Sequence, residues 1–341
     1  MYKEEQFRNK IIYYSFILSI FVVGIHAYNV ERYHLAGKED WFSRLVLLVE
    51  NMVRGWADIC VPFFFIISGY LFFRTFELGK IRDKYKSRLR TVVIPYIAWC
   101  TIYYIYYCLI TNIEVLHQYL GNIQVVPFEI RTWIKWIWVE QYYTLWFLKG
   151  LIVLIFLAPI IYFVLRKYCF VPTGIFVLIF ILLCEMEILP FDCGYINIYY
   201  FVGAYIGINH KDIPKIRNRK LIYIAVVILI IAGGIILAGG RLNPFMILIS
   251  CFALWEITNY IEYNRQPRWY IHISFFIYCT HDLLLEALEG VFFLVFGYGS
   301  IFALLDYVFM PLVVVGICIL ISFVLKKYLN AIWCILSGGR G

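Results

Sequence analysis

The sequence predicts an all-α membrane protein with about ten transmembrane helices and both termini in the cytoplasm. Of its 341 residues, 63% are hydrophobic and 15% are charged, whereas a soluble domain is about 45–50% apolar and about 25% charged. Apolar runs of roughly 20 residues, the length that crosses a bilayer, recur along the chain. The composition excludes a soluble enzyme, a disordered chain, a nucleic-acid-binding domain and a secreted disulfide scaffold.

Ten apolar segments are predicted to span the membrane. In chain order they are residues 11–30, 57–76, 91–111, 144–165, 170–188, 193–210, 221–239, 243–260, 271–296 and 304–325. The first run is not followed by a small-residue cleavage site, so we interpret it as the first span rather than as a signal peptide. Since no fixed-period repeat and no Pro- or Ser-rich linker divides the chain, residues 1–341 are predicted to form a single membrane domain.

Lysine and arginine set the orientation of these spans. With the N-terminus inside, 22 of the 30 basic residues fall on the inner side, in the two tails and in residues 74–90, 166–167, 211–220 and 265–268. This asymmetry is the one that the positive-inside rule describes. It places both termini in the cytoplasm and two long loops, residues 31–56 and 112–143, outside. The net charge of +8 is then explained by topology.

The first and ninth predicted spans carry polar residues, which are costly in hydrocarbon unless they are paired or face a cavity. Ser15, Ser19 and His26 share one face of the first span, with His26 in its outer half. For His26 alone, an interfacial structural role and a functional role are equally open.

The ninth span gives the stronger signal, because its polar residues form a stripe along an otherwise apolar helix. The stripe consists of Ser274, Tyr278, His281, Asp282, Glu286 and Glu289. Such a stripe lines a cavity or packs against other polar helices. Glu289 is also explained by the end of the span in the headgroup region, whereas His281 is not.

The second span begins at Asp58 and contains Ser68-Gly69, which permits close helix contact or a local break. The densest basic run follows it and includes Lys86, Arg88 and Arg90. Topology control explains most of this run. The functional alternative is a phosphate-binding surface, since arginine forks match phosphate oxygens.

The ten cysteines and the outer aromatic residues have simpler explanations. The cysteines are scattered, mostly inside apolar runs, with no metal-site spacing, so we expect packing roles and no bound metal. Tryptophans at 133, 136, 138 and 146 are typical of a membrane interface. Stacking on sugars is the minor alternative. No nucleotide-binding, zinc-protease or serine-hydrolase motif occurs.

Several fragments, taken together in order and spacing, resemble the acyltransferase-3 family of bacterial membrane proteins. They are Val61-Pro62 through Ser68-Gly69-Tyr70-Leu71, Lys86-Ser-Arg88-Leu-Arg90 with Ile94-Pro95-Tyr96, Leu145-Trp146-Phe147-Leu148, Ser274 through His281, and the ending Leu336-Ser-Gly-Gly-Arg340. His26 fits the family's first-helix histidine. The resemblance covers the whole chain.

This resemblance implies ten spans in a bacterial inner (plasma) membrane. It also implies transfer of an acyl group, often acetyl from acetyl-CoA, to a hydroxyl of a cell-surface, exported or lipid-linked glycan. Three positions depart from the family pattern. Ser15 stands where the family has an arginine eleven residues before the histidine, Asp58 where many relatives have an arginine, and Lys149-Gly150 where relatives often read Arg-Asp.

Under this hypothesis the site residues have distinct roles. His26 is the catalytic base, and His281 orients it or stabilises charge; a transient acyl-histidine is the alternative. Acyl-CoA is the co-substrate and contacts Lys86, Arg88 and Arg90. The substrate cavity is predicted to be lined by Ser19, Asp58, Ser68, Trp146, Lys149, Ser274, Tyr278, Asp282 and Glu286.

Two other functions fit the same residues. The polar stripe would line the permeation path of a transporter for a small polar solute or a glycan precursor. Alternatively, the chain is a catalytically degenerate scaffold of a glycan-assembly complex. Release of free CoA from labelled acyl-CoA separates an enzyme from both.

Overall fold

The structure, a computed structural model, describes residues 3–35, 37–38, 40–113, 124–138, 143–166, 197–210, 213 and 215–340, with shorter pieces at 174–175, 177–179, 182–183 and 186. All regular structure within these ranges is helical, with no strand. The prediction of an all-α polytopic membrane protein is confirmed.

The described α-helices are numbered here in chain order. They are α1 (Glu4–His26), α2 (Trp41–Ala57), α3 (Cys60–Arg74), α4 (Ile81–Arg88), α5 (Ile94–Asn112), α6 (Ile130–Trp138), α7 (Trp146–Phe156), α8 (Ala158–Arg166), α9 (Asn197–Asn209), α10 (Arg219–Leu237), α11 (Pro244–Ile257), α12 (Ser274–Phe296), α13 (Ser300–Tyr328) and α14 (Asn330–Ser337). A π-helical turn, Leu89–Val93, joins α4 to α5.

Within the described ranges, five helical stretches are long and apolar enough to cross a bilayer. They are Glu4–His26, Trp41–Arg74, Leu78–Asn112, Arg219–Leu237 and Ser300–Tyr328. Helices α7 and α8, bent by 65° at their junction, would form a sixth as one broken span. Helix α12 is long enough to cross a bilayer, but its three carboxylates keep it out of this group of apolar helices. The count of ten spans stays a prediction, and most of the span expected at 170–188 lies outside the described residues.

Helix α2 occupies most of the segment that the sequence suggested as the outer loop 31–56. Asp40 starts this helix, because its carboxylate accepts a hydrogen bond from the backbone N–H of Ser43 at 3.0 Å. One face of α2 buries Val46 and Glu50. The charged residues of this amphipathic helix lower its mean apolarity, which explains why an apolar-run criterion misses it.

Helices α3 and α9 pack closely because glycine occupies their contact. A Cβ atom at Gly203 would overlap the carbonyl oxygen of Ile66, and one at Gly207 would lie 2.7 Å from the carbonyl oxygen of Tyr70. Gly69 lies in the same way against the backbone of Tyr200. Small residues four apart commonly allow such contact between membrane helices.

Helix α1 packs against α2, α3, α12 and α13 and lies near the centre of the bundle. Ring contacts fix its direction relative to α3: Phe7 meets Tyr70 with ring centres 5.6 Å apart, and Tyr14 meets Phe63 at 5.2 Å. The two helices are therefore antiparallel. The site described next lies between them, α7 and α12.

Candidate active site

A cavity of about 270 Å³ runs along α1 between α3, α7 and α12; we call it the central cavity. Helix α1 contributes Ile11, Ser15, Val22 and His26 to its wall. The spacing of these four residues corresponds to one face of a helix. At 1.5 Å per residue, the wall from Ile11 to His26 is roughly 22 Å long.

The two ends of the central cavity differ in chemistry. One end has His26 of α1 and Trp146, which begins α7. The other end has Arg88, at the end of α4, and Arg340, which follows α14. The central cavity, which is mainly apolar, thus has the imidazole of His26 at one end and the guanidinium groups of Arg88 and Arg340 at the other.

The histidine end contains a close pair of imidazoles. The ring centres of His26 and His281 lie 4.9 Å apart. Nδ1 of His26 lies 4.0 Å from Oδ1 of Asp282. His281 is fully buried. The three side chains thus form one polar group within otherwise apolar helices.

Backbone contacts define the tautomer of His281. Its Nδ1 lies 2.7 Å from the carbonyl oxygen of Tyr278 and 3.2 Å from that of Ile277. Because a carbonyl oxygen only accepts, Nδ1 carries the hydrogen and Nε2 holds a lone pair. Among the described residues, that Nε2 atom has no hydrogen-bond partner. An unengaged acceptor therefore lies in the imidazole pair.

Helix α12 continues past the histidine pair with further carboxylates. Tyr107 of α5 donates a hydrogen bond to Glu286 at 2.9 Å. Arg32 forms an ion pair with Glu289 at 2.6 Å. These acidic groups lie on the side of His281 that faces away from the two arginines, and each is held by another helix or loop.

A second, wider cavity of about 690 Å³ adjoins the arginine end. It shares Arg88 and Ile155 with the central cavity, and its other charged residues are Arg82, Asp83 and Lys86. Arg90 lies in a smaller pocket beside Lys86. The combined surface carries four basic residues and one acidic residue, which suits an anion.

The structure places some predicted site residues on the central cavity and others elsewhere. The predicted residues that line it are His26, Ser68, Arg88, Trp146, Ser274 and Tyr278. His281 and Asp282 do not line the cavity themselves, but both lie next to the His26 side chain. Lys86 and Arg90 lie outside the cavity, at the basic surface next to it.

Four other predicted residues do not line the central cavity. The hydroxyl of Ser19 donates to the carbonyl oxygen of Phe16 within α1, at 2.8 Å. Asp58 lies at the end of α2, where the charges of Arg54 and Arg241 act on it. Lys149 lies on α7 outside the cavity wall, and Glu286 lies beyond the histidine pair.

Thr144 and Arg340 are among the residues that line the central cavity without having been predicted as site residues. Thr144 lies in the 3₁₀ turn that precedes α7, and its side chain is buried. The sequence presents Arg340 as a positive-inside charge and as part of the C-terminal resemblance, with no role in the site. The sequence feature that could have pointed to Arg340 is Gly338-Gly339, since glycines of this kind end a helix and turn the chain that follows.

The same histidine end could hold a small cation. The nearest ligand atoms of His26, His281 and Asp282 all lie within 4.8 Å of one another. Two imidazoles and a carboxylate are a donor set found at zinc sites with an open position. The geometry thus allows either a free imidazole pair or a metal site.

Comparison with known proteins adds to this geometry. The model of a family described as an acyltransferase domain (acyltransferase-3) matches residues 16–325. The "Probable poly-beta-1,6-N-acetyl-D-glucosamine export protein" of Staphylococcus aureus strain MRSA252 is 23% identical to the chain, over 95% of this chain and 94% of the relative. The protein of the same name in strain Mu50 is 25% identical, over 83% of each.

A relative from another organism is also similar. The "Succinoglycan biosynthesis protein ExoH" of Rhizobium meliloti strain 1021 is 23% identical, over 89% of this chain and 84% of the relative. No solved structure matches the chain significantly. The relatives named here are thus proteins of polysaccharide export or biosynthesis.

Proposed function

The chain belongs to the acyltransferase-3 family, and on that premise we propose that it is a membrane O-acyltransferase that moves an acetyl group from cytoplasmic acetyl-CoA to a hydroxyl of an exported glycan. One observation carries the proposal: the central cavity leads from a basic surface to the pair of half-buried His26 and buried His281. This arrangement suits a donor with an anionic head and a reactive thioester at its far end.

The donor side is the basic surface. Both cavities meet at Arg88, and Lys86 lines the wider one. Arginine and lysine bind phosphate oxygens through charge-assisted hydrogen bonds. The nucleotide of CoA is assigned to the wider cavity on the cytoplasmic side. The central cavity then takes the uncharged arm of the donor and brings the thioester to His26.

The reaction at His26 transfers an acyl group from the sulfur of CoA to the oxygen of the acceptor hydroxyl. His26 removes the proton of this hydroxyl as the hydroxyl oxygen attacks the thioester carbonyl carbon. The carbon–sulfur bond breaks, and His26 gives the proton to the CoA thiolate that leaves. A neutral imidazole suits both steps, since its ordinary pKa near 6.5 lets it accept and release a proton at neutral pH.

His281 and Asp282 support His26 in this mechanism. Nε2 of His281 is buried without a hydrogen-bond partner among the described residues, and the ring of His281 lies 4.9 Å from that of His26. The Asp282 carboxylate lies 4.0 Å from Nδ1 of His26. Both favour a protonated His26 over a protonated acceptor. Held by two carbonyl oxygens, His281 fixes this arrangement before the substrate arrives.

The acceptor enters from the opposite end. Glu286 and Asp282 lie on α12 beyond the cavity, and carboxylates accept hydrogen bonds from sugar hydroxyls. The curated relatives carry names that refer to exported or secreted polysaccharides. Both facts support a glycan, free or lipid-linked, as the acceptor.

An export role is the second candidate, favoured by the name of the staphylococcal relatives. In that case the carboxylates of α12 would line a path for sugar, and the histidine pair would have no donor to act on. Free CoA is the product that distinguishes the two functions. Transfer releases one free CoA for each acyl group moved, and export releases none.

The test uses the purified full-length protein in lipid nanodiscs with radiolabelled acetyl-CoA and a β-linked glucosamine or glucose oligosaccharide. Release of CoA thiol together with label on the oligosaccharide supports the transferase. The matched control is His272→Gln, since His272 does not line the central cavity. Absence of thiol release with every acceptor, from protein that remains folded, would leave export as the better explanation.

A further inference from the structure

The residues after α14 are held in place by several contacts. Trp99 of α5 donates a hydrogen bond from its indole nitrogen to the carbonyl oxygen of Leu336 at 3.0 Å. Trp333 packs against Phe276 of α12 with ring centres 5.2 Å apart. Because these contacts hold α14 in place, they also fix the position of the residues that follow it, including Arg340.

Two glycines turn the chain from α14 toward the cavity. Gly338 and Gly339 have φ values of +63° and +69°, a region that side chains with a Cβ rarely adopt. A Cβ at Gly338 would also lie only 2.5 Å from the carbonyl oxygen of Thr91, in the π-helical turn. The turn seats the tail against Leu89–Val93 and directs Arg340 to the mouth of the central cavity.

Arg340 lies there beside Arg88. Its guanidinium carbon stacks over the ring of Phe275 at 4.1 Å, and the guanidinium of Arg88 lies 5.5 Å from the ring of Phe72. Both side chains are half-buried and line the central cavity. Across the described residues, neither is paired with a carboxylate.

Two half-buried arginines at one cavity mouth repel each other. Burial, with the nearby charge of Arg88, lowers the pKa of Arg340 to about 10. Arg340 therefore stays charged at neutral pH. Placing two unpaired cations side by side is unfavourable, and a bound anion would compensate them both.

Ser15 lines the same cavity on α1. At this position the resembled family has an arginine, so the first helix of this chain offers no positive charge to the cavity there. Arg340 and Arg88 supply charge to the cavity from other parts of the chain.

We infer that Arg340, carried in by the C-terminal turn, forms a phosphate clamp with Arg88 at the mouth of the central cavity and that the phosphate belongs to the acyl donor. This inference rests on the proposed function, because the donor is taken to be acyl-CoA. A phosphate in an anionic lipid headgroup offers the same chemistry, so the experiment separates the two sources.

The experiment measures binding of CoA and of pantetheine, which lacks phosphate, to the purified full-length protein in nanodiscs of zwitterionic lipid. We expect Arg340→Gln and Arg88→Gln each to weaken CoA binding about tenfold or more, the effect of one lost charge-assisted hydrogen bond. Arg340→Lys should retain part of the affinity. Pantetheine binding should not change in any variant.

The matched control is Arg8→Gln, because Arg8 is exposed near the start of α1 and lines neither cavity. Failure of the unaltered protein to bind CoA would overturn the proposed donor itself. Normal CoA binding that persists unchanged in Arg340→Gln would overturn the clamp alone. Equal loss of CoA and pantetheine binding would also overturn it, since the side chain would then act through folding.

A third arm measures the thermal unfolding of the unaltered protein and of Arg340→Gln, in nanodiscs of zwitterionic lipid and in nanodiscs that also contain phosphatidylglycerol. The clamp predicts that the anionic lipid raises the midpoint temperature of unfolding by the same amount in both proteins. If the anionic lipid fails to raise the midpoint of Arg340→Gln while CoA binding by this variant stays normal, Arg340 binds a lipid headgroup and the inference is wrong.

Discussion

The hydroxyl of Tyr278 donates a hydrogen bond to the carbonyl oxygen of Thr144 at 2.5 Å. This bond ties α12 to the residues that open α7, three positions before His281. The carbonyl oxygen of the same tyrosine accepts the Nδ1–H of His281. One residue thus links the wall of the cavity to the orientation of the buried imidazole.

Tyr278→Phe should remove that link and leave the ring packing intact. A lost hydrogen bond costs about 1 kcal/mol, so we expect acyl transfer to slow about fivefold while the apparent KM for acyl-CoA stays the same. Steady-state rates of CoA release measure both quantities. Tyr106→Phe on α5 is the control, because its ring lies outside the cavity wall. An unchanged rate in Tyr278→Phe would mean that the bond does not position the site.

His26→Gln should abolish acyl transfer. Glutamine keeps polarity and approximate size but cannot act as a base at neutral pH, and a general base contributes roughly 10²–10⁴ in rate. The measurement is label transferred to the acceptor by protein that inserts and accumulates normally. Near-normal transfer by this variant would make His26 a structural residue and refute the mechanism.

His281→Ala should impair transfer less than His26→Gln, because water can occupy the space and partly replace a supporting group. We expect a lower maximal rate with an unchanged apparent KM for acyl-CoA in this variant, since a protonated His26 is less well stabilised during the reaction. Initial rates of CoA release over a range of acyl-CoA concentrations are the measurement. Equal and complete loss in both variants would give His281 a direct part in the reaction.

Chelation distinguishes a free imidazole pair from a metal site. The proposed base must have a free nitrogen, so we expect full activity after EDTA treatment and no stoichiometric zinc by elemental analysis. The His26, His281 and Asp282 group could bind a cation, which makes the test informative. Loss of activity on chelation with recovery on adding zinc would replace the base mechanism with a metal-assisted one.

Gly203→Ala should destabilise the contact between α3 and α9. The new Cβ would overlap the carbonyl oxygen of Ile66, and overpacking of this kind costs about 1–3 kcal/mol. The midpoint of thermal unfolding in detergent should fall. Gly234→Ala on α10 is the matched control, because no neighbouring atom lies within 4 Å of its Cβ position. A fall of equal size in the control would show a general sensitivity to glycine replacement.

The helical class could be predicted because composition and apolar length report directly on the bilayer. The grouping of Ser274, Tyr278 and His281 could be predicted as well, since helical periodicity places them on one face. The approach of His26 to His281 depends on how α1 packs against α12. A single sequence carries no direct signal of that distance.

Two site residues show where sequence reasoning stops. Asp58, the first polar residue of the second predicted span, is predicted to line the cavity, but it ends α2, where the charges of Arg54 and Arg241 act on it. Arg340 was missed because 252 positions separate it from Arg88 and because its charge already had an explanation in topology. In both cases the deciding neighbour comes from a distant part of the chain.

The length of the central cavity has a consequence for how the cell keeps its permeability barrier. If the thioester of the proposed acyl-CoA reaches His26 while the nucleotide stays among the arginines, only the acyl group passes from one side of the bilayer to the other. Coenzyme and glycan each remain in their own compartment. The chemical step is then itself a vectorial translocation, driven by thioester cleavage, and it needs neither an ion gradient nor a second carrier.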